Sequence, residues 1–261
     1  MNRTPISLNP EGIPEEFLAL LQGTRLYDSS CSPEARVIYL DRDGGYFLKS
    51  APKGTLSREA DMGRYFFQKG LGAEILSYRS EDRDWLLSRR VAGEDCTHES
   101  YISDPKRLCD TLATLLRSLH EESSADCPVP DHTACYLRTV EQNYRDGMFD
   151  PSYLPPKDAH RCADRIMKEI VSMSHLLTSD TLLHGDYCLP NIVLKDWAFS
   201  GFIDLGNGGV GDRHVDLFWG AWTLNFNLKT DRYRERFFDA YGRDRVDPDR
   251  IRLISLIEAF G

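Results

Sequence analysis

Apolar positions along the chain change their spacing near residue 92, and the change separates strand-like sequence from helix-like sequence. Ile13 to Gly23 reads as a short helix, with Pro14 in its first turn, Phe17, Leu18 and Leu21 on one face, and Gly23 as its stop. Glu34 to Leu40 and Tyr46 to Ser50 are apolar runs joined by Asp-Arg-Asp-Gly-Gly, which predicts a hairpin. Leu56 to Lys69 predicts a helix closed by Gly70. Two further strands, Glu74 to Arg79 and Trp85 to Arg90, flank the polar turn Ser-Glu-Asp-Arg-Asp. The first third is therefore expected to be an antiparallel sheet with a helix against it.

At Val91-Ala92-Gly93-Glu94 the pattern becomes helical. Asp104-Pro105 opens a helix with Leu108, Leu112, Leu115, Leu116 and Leu119 at helical spacing and Asp104 as its N-cap. More helices are expected near Thr133 to Asp146, Asp158 to Leu176, Arg213 to Asn225, Asp231 to Ala240 and Asp247 to Phe260. The proline-rich stretch Phe149 to Lys157 is expected to be irregular. The fold class that follows is α+β in two parts, residues 1–91 and 92–261.

Composition narrows the function. The 261 residues, 41% of them hydrophobic, suffice for a large core. A net charge of -9 disfavours a nucleic-acid partner, which calls for concentrated Lys and Arg, and permits a cationic substrate. No apolar run is long enough to span a bilayer, and the start lacks the apolar core of a signal peptide, so no membrane is expected and the cytoplasm is the expected compartment. Seven cysteines without a Cys-x-x-Cys pair imply reduced thiols, with Cys188 a small loop or core residue.

The segment from His184 to Gly206 carries the chemistry. Asp186 is followed after five residues by Asn191 and then, on a new strand, by Asp204. Taken singly, each has an ordinary structural explanation as a turn or cap residue. Taken together they supply what phosphoryl transfer uses: a carboxylate to receive an alcohol's proton, and two hard oxygen ligands for a metal that accompanies a nucleotide triphosphate.

The elements His-Gly-Asp-x-x-x-x-Asn and Ile-Asp-Leu-Gly, then Gly-Val-Gly-Asp-Arg-His-Val-Asp-Leu at 209–217, resemble the aminoglycoside phosphotransferase family, nearest to its 3'-phosphotransferases. The resemblance covers nearly the whole chain. It implies a two-lobed protein-kinase-like fold, an antiparallel-sheet N-lobe for nucleotide and a mainly helical C-lobe for catalysis and substrate. It implies Asp186 as catalytic base, Asn191 and Asp204 as ligands of Mg2+, and Asp216 as a brace for the catalytic loop. Lys49 would contact the α and β phosphates, with Glu59 as its ion-pair partner. Ser32 would reach the terminal phosphates, Phe47 would stack on the base, and backbone groups of Arg89 and Val91 would bind the purine. The donor is ATP or GTP, since Ser88 is small where the purine pocket is walled.

The acceptor side departs from the family pattern. Asn207 stands where relatives carry an Arg, and the chain ends Leu-Ile-Glu-Ala-Phe-Gly instead of Asp-Glu-Phe-Phe, so Gly261 follows Phe260. Asp150, Asp158, Asn207, Glu258 and Phe260 are the substrate-binding candidates. The leading expectation is a monomer or weak dimer that phosphorylates a small cationic substrate, an aminoglycoside, at its 3'-hydroxyl. Two alternatives are a related kinase for another small alcohol or amino sugar, and a catalytically silent nucleotide-binding protein.

Overall fold

The computed structural model describes residues 4–7, 12–31 and 33–261. Its strands are β1 (Thr4–Ile6), β2 (Arg25–Asp28), β3 (Arg36–Asp41), β4 (Tyr46–Pro52), β5 (Ile75–Ser80), β6 (Arg83–Arg89), β7 (Glu94–Asp95), β8 (Thr181–Leu183), β9 (Ile192–Lys195), β10 (Ala198–Phe202) and β11 (Gly209–Gly211). Its helices are α1 (Glu15–Leu21), α2 (Ser57–Gln68), α3 (Glu99–Ile102), α4 (Pro105–Glu121), α5 (His132–Arg145), α6 (Ala163–Met173), α7 (His214–Leu228), α8 (Arg234–Gly242) and α9 (Pro248–Ile257). The chain forms two compact units. One is Met1–His98 with Pro190–Gly206, the other Glu99–Leu189 with Asn207–Gly261.

In the first unit six strands pair antiparallel in the order β1-β2-β3-β4-β6-β5. Side-chain alternation sorts the two faces. Tyr46 and Leu48 of β4, with Trp85 and Leu87 of β6, pack under α1 around Phe17. Ala51 of β4 and Leu86 of β6 turn the other way, against Ala60 of α2. Lys49 shares that second face with Ala51, so the pleat aims it toward α2. The start of α2 is fixed from outside the helix, where the Asp84 carboxylate accepts the Leu56 N–H at 2.9 Å and the Tyr78 hydroxyl at 3.1 Å. Strands β1 and β2 have no counterpart in the sequence expectations. They are short, mostly polar in pattern, and gain definition only by pairing, β2 with β3 and β1 with β2.

The returning segment Pro190–Gly206 supplies a hairpin of β9 and β10, with β7 on its other edge. Its turn residues Asp196 and Trp197 both adopt positive φ, at 52° and 67°, as a tight hairpin turn demands. Beyond the last paired residues, the Ile203 N–H donates to the Asn191 carbonyl at 3.0 Å.

The second unit is helical apart from the antiparallel pair of β8 and β11. Asp104, Asp131 and Asp247 cap α4, α5 and α9 by accepting first-turn backbone N–H groups. Val140 of α5, Ile166 and Ile170 of α6, Val215 of α7, and Leu253 and Ile254 of α9 meet in one core. The helix expected from Asp158 begins only at Ala163, because Asp158 is drawn inward by arginines. Among the described residues no helix is long and apolar enough to cross a membrane.

Candidate active site

Lys49 ends in an ion-pair cluster within the first unit. Its Nζ lies 2.7 Å from Glu59 Oε2 and 2.9 Å from Asp204 Oδ1. Burial opposes the charge on Lys49, but the carboxylates of Asp204 and Glu59 outweigh it and hold the ammonium above its ordinary pKa. For Glu59 burial raises the pKa, Lys49 pulls it back, and Asp204 raises it again. Both shifts are upward, because one ammonium serves two carboxylates: the pair of acids favours the charge on Lys49, while burial and Asp204 oppose the charge on Glu59. The stable assignment is a protonated Lys49 with acid on either side.

The hairpin geometry decides where the metal candidates lie. Since the Asn191 carbonyl is bonded to the Ile203 N–H across the hairpin end and Asp204 follows one residue beyond, the two residues sit at the same end of the hairpin. Asp204 has φ 59°, a left-handed conformation uncommon outside glycine, and its side chain stays half exposed. An amide oxygen beside a carboxylate suits Mg2+, which takes one or two protein ligands and completes its shell with phosphate oxygens and water. Among the described residues no group of three or more His, Cys, Asp or Glu could hold a metal unaided. One amide and one carboxylate are a donor set of the kind that takes a metal arriving with phosphate.

The nucleotide candidates occupy the same unit. Phe47, partly buried, shares the sheet face of Lys49, with its ring centroid 5.2 Å from that of Tyr39. At the end of β6 the Arg89 and Arg90 N–H groups donate to the Glu74 and Gly45 carbonyls. Among the described residues no backbone carbonyl takes the Val91 N–H. Ser32 lies outside the described residues.

In the second unit the catalytic-loop candidate leaves β8. Asp216, fully buried in the first turn of α7, accepts the His184 and Gly185 N–H groups, each at 2.8 Å, and a further contact from His120 Nε2 at 3.2 Å. Gly185 has φ +83°, and a Cβ placed there would lie 1.9 Å from the Asn207 carbonyl oxygen. Asn207 thus bears on the loop through its backbone. Asp186 follows, partly buried, and its carbonyl accepts the Cys188 N–H at 2.8 Å. Burial and the Asp186 charge push the Cys188 thiol pKa up, so it stays protonated. All seven cysteines are free.

The acceptor candidates fare differently. Glu258 is buried, accepting hydrogen bonds from the Tyr136 hydroxyl and, at 3.1 Å, from Trp219 Nε1. Burial raises its pKa to about 7 despite those donors, with the Asp186 charge adding to the rise. Asp150 stands exposed and accepts the Ser152 N–H at 2.8 Å. Two expectations need correcting. Asp158 is buried and bound to Arg161 at 2.9 Å and Arg252 at 3.3 Å. Both arginines also hold Glu169, so this carboxylate ties α6 to α9. Phe260 is 1% exposed, packed on Tyr144 and Phe149, because an aromatic ring at this end of the chain completes the helical core. The sequence reading missed Tyr136 and Trp219, the donors to Glu258; their spacing within α5 and α7 marks them only as partly buried helix positions.

The fold and these side chains define an enzyme of phosphoryl transfer. Residues 31–254 match the phosphotransferase enzyme family, and the chain belongs to it. It is 49% identical over its whole length to a probable aminoglycoside 3'-phosphotransferase of Lactococcus lactis, covering 99% of that protein. It is 30% identical to the aminoglycoside 3'-phosphotransferase of Niallia circulans, over 95% of this chain and 97% of the relative. The crystal structure of an aminoglycoside-3'-phosphotransferase of type VIII shares its fold with a TM-score of 0.77 at 22% identity, over 94% of this chain and 98% of the other. The fold is therefore kinase-like. Also similar is an aminoglycoside phosphotransferase of Streptomyces rimosus in complex with ADP and streptomycin, at TM-score 0.70 and 23% identity, over 94% and 97% of the two chains.

Proposed function

We propose that the chain is a kinase that transfers the terminal phosphate of ATP or GTP to an aminoglycoside, at the 3'-hydroxyl. The observation that carries this reading is the Lys49 ammonium fixed between Glu59 and Asp204, a cation preset where phosphate charge can be met. The names of relatives similar over the full chain support the acceptor class.

In this reading Lys49 binds the α and β phosphates, Phe47 stacks on the base, and the Arg89 carbonyl and Val91 N–H receive the purine edge. Ser32 reaches the terminal phosphates. Asn191 and Asp204 would hold Mg2+, which when bound neutralises charge on the phosphate oxygens. Asp186 orients the acceptor hydroxyl and takes its proton late, since the transition state is loose and positioning does most of the work. Asp216 keeps the loop carrying Asp186 in place. Glu258 and Asp150 meet ammonium groups of the acceptor; a cation beside Glu258 would favour its ionised form.

The test is phosphate transfer to a panel of aminoglycosides, including one that lacks the 3'-hydroxyl. Turnover is expected on all but that one, and Asp186→Asn should lower kcat by about 10²–10⁴-fold. Equal turnover by Asp186→Asn, or no transfer to any aminoglycoside, would overturn the reading.

A further inference from the structure

Helix α7 places two kinds of residue on adjacent strips. Asp216, Gly220 and Thr223 fall on one strip at helical spacing, and its two polar members anchor the catalytic loop. Asp216 holds the His184 and Gly185 N–H groups, and Thr223 Oγ1 accepts the Leu189 N–H at 3.1 Å. Gly220 between them lets the Phe237 ring of α8 approach, since a Cβ there would lie 2.6 Å from that ring, and 3.3 Å from the ring of Tyr187. Asp186 is thus held between two anchors on one helix.

The neighbouring strip of α7 is aromatic. Trp219, Trp222 and Phe226 follow one another at three- and four-residue intervals. Trp219 meets Trp222 edge-on at 5.3 Å, and Trp222 stacks on Phe226 at 4.9 Å with planes 10° apart. Tyr153, from the short turn Pro151–Tyr153, stacks on Trp222 at 6.3 Å and meets Trp219 edge-on at 6.0 Å. These rings are not sealed in the core: Phe226 is 54% exposed, and the other three are only partly buried.

Acid lies at one end of the strip. Trp219 donates to Glu258, and the Tyr153 hydroxyl has its pKa raised by burial and by the charges of Asp150, Glu258 and Asp186. At the far end the chain's own Lys229 ammonium stands 4.3 Å from the Phe226 ring centroid, so this surface already seats one cation.

We propose that Tyr153, Trp219, Trp222 and Phe226 form the wall of the acceptor site, stacking on the C–H face of an amino sugar while its ammonium groups meet ring faces and the nearby carboxylates. The proposal rests on the aminoglycoside-kinase reading and names the residues that select its substrate. An amino sugar offers both an apolar ring face and positive charge. A neutral sugar lacks the charge, and a small amino alcohol lacks the ring face. Aromatic contact also compensates for Asp158, which is held by arginines.

The test combines kinetics with tryptophan fluorescence. Tyr153→Ala, Trp222→Ala and Phe226→Ala should each raise the acceptor KM about tenfold, while nucleotide KM stays unchanged and kcat moves less than about twofold. Trp222→Phe should recover most of the loss, and melting curves verify that the variants remain folded. Titrating the wild type with aminoglycoside should quench its tryptophan emission. Folded Trp222→Ala with an unchanged acceptor KM, or turnover without quenching, overturns the aromatic wall and leaves the kinase reading intact. Quenching without phosphate transfer overturns the kinase reading instead, and neither quenching nor transfer overturns both.

Discussion

Gly185→Ala isolates a steric cost at the catalytic loop, and Gly147→Ala serves as its internal control. Both glycines are left-handed, at φ +83° and +74°, so an alanine at either site pays a similar backbone penalty of about 1–2 kcal/mol. Their surroundings differ. At Gly147 a new Cβ meets nothing within 4 Å, whereas at Gly185 it would lie 1.9 Å from Asn207 O and 2.3 Å from its carbonyl carbon. Those are backbone atoms, so no rotamer change can relieve the contact. Overpacking of this kind adds about 1–3 kcal/mol, giving roughly 2–5 kcal/mol at Gly185 against 1–2 at Gly147. In a chain of this size each kcal/mol lowers Tm by about 2–4 °C.

Scanning calorimetry reads the stability difference and steady-state kinetics reads its consequence. If the loop yields instead of the whole fold, Asp186 shifts, and a displacement near 1 Å costs about 10²-fold in turnover. Gly185→Ala should therefore lose stability, turnover or both, while Gly147→Ala keeps full kcat. If the two variants match in Tm and in kcat, the reasoning fails, because the approach of Asn207 to Gly185 would then have no energetic content.

The ionised groups give three further predictions. Lys49→Met should lower kcat/KM by about 10²–10³-fold, the usual loss when one fixed charge donor is removed, with a nucleotide titration showing weakened binding. Glu258 ionises near 4.5 when unfolded but near 7 when folded, so between those values the folded state keeps a proton that the unfolded state has released. It therefore costs progressively more stability as pH rises from about 4.5 to 7, to a total near 3 kcal/mol. Above that window the cost is constant. Glu258→Gln should gain stability over wild type across that rise, read as the difference between their Tm-against-pH curves; parallel curves would refute the buried-acid assignment. Asp158→Asn should destabilise the second unit by about 1.5–3 kcal/mol, because Arg161 and Arg252 lose one charged partner while keeping Glu169. Its acceptor KM should hold steady once the protein is folded, and a large rise in KM would restore Asp158 to the acceptor site.

What was legible in the sequence depended on the range of the interaction. The hairpin between β3 and β4 and the capped starts of α4 and α9 follow from local chemistry: Asp-Arg-Asp-Gly-Gly, Asp104-Pro105 and Asp247-Pro248. The Lys49 and Glu59 pair lies ten residues apart on a strand and the next helix, which motif spacing can carry. Asp158 shows the opposite case. Its carboxylate is matched by Arg252, 94 residues away, and nothing in the local sequence distinguishes a carboxylate bound for an arginine from one open to a ligand. Phe260 failed for a related reason: the family pattern marked its position, while the fate of the ring was decided by Tyr144 and Phe149.

The aromatic strip of α7 was hidden by periodicity itself. Trp219, Trp222 and Phe226 recur as core positions of any amphipathic helix would, so the sequence offers no reason to treat them apart from Leu217 or Leu224, which are fully buried. Only the three-dimensional arrangement separates the two sets. Asp216 and Thr223 are spent on the loop that carries Asp186, which turns the next strip of the same helix to the flank of that loop, with Tyr153 completing it. In the proposed reading one helix serves two purposes: its polar anchors fix Asp186 to receive the proton, and its rings present a surface to the molecule that gives it up. Substitutions on the first strip should then act on kcat and those on the second on acceptor KM, a division that a purely structural α7 would not produce.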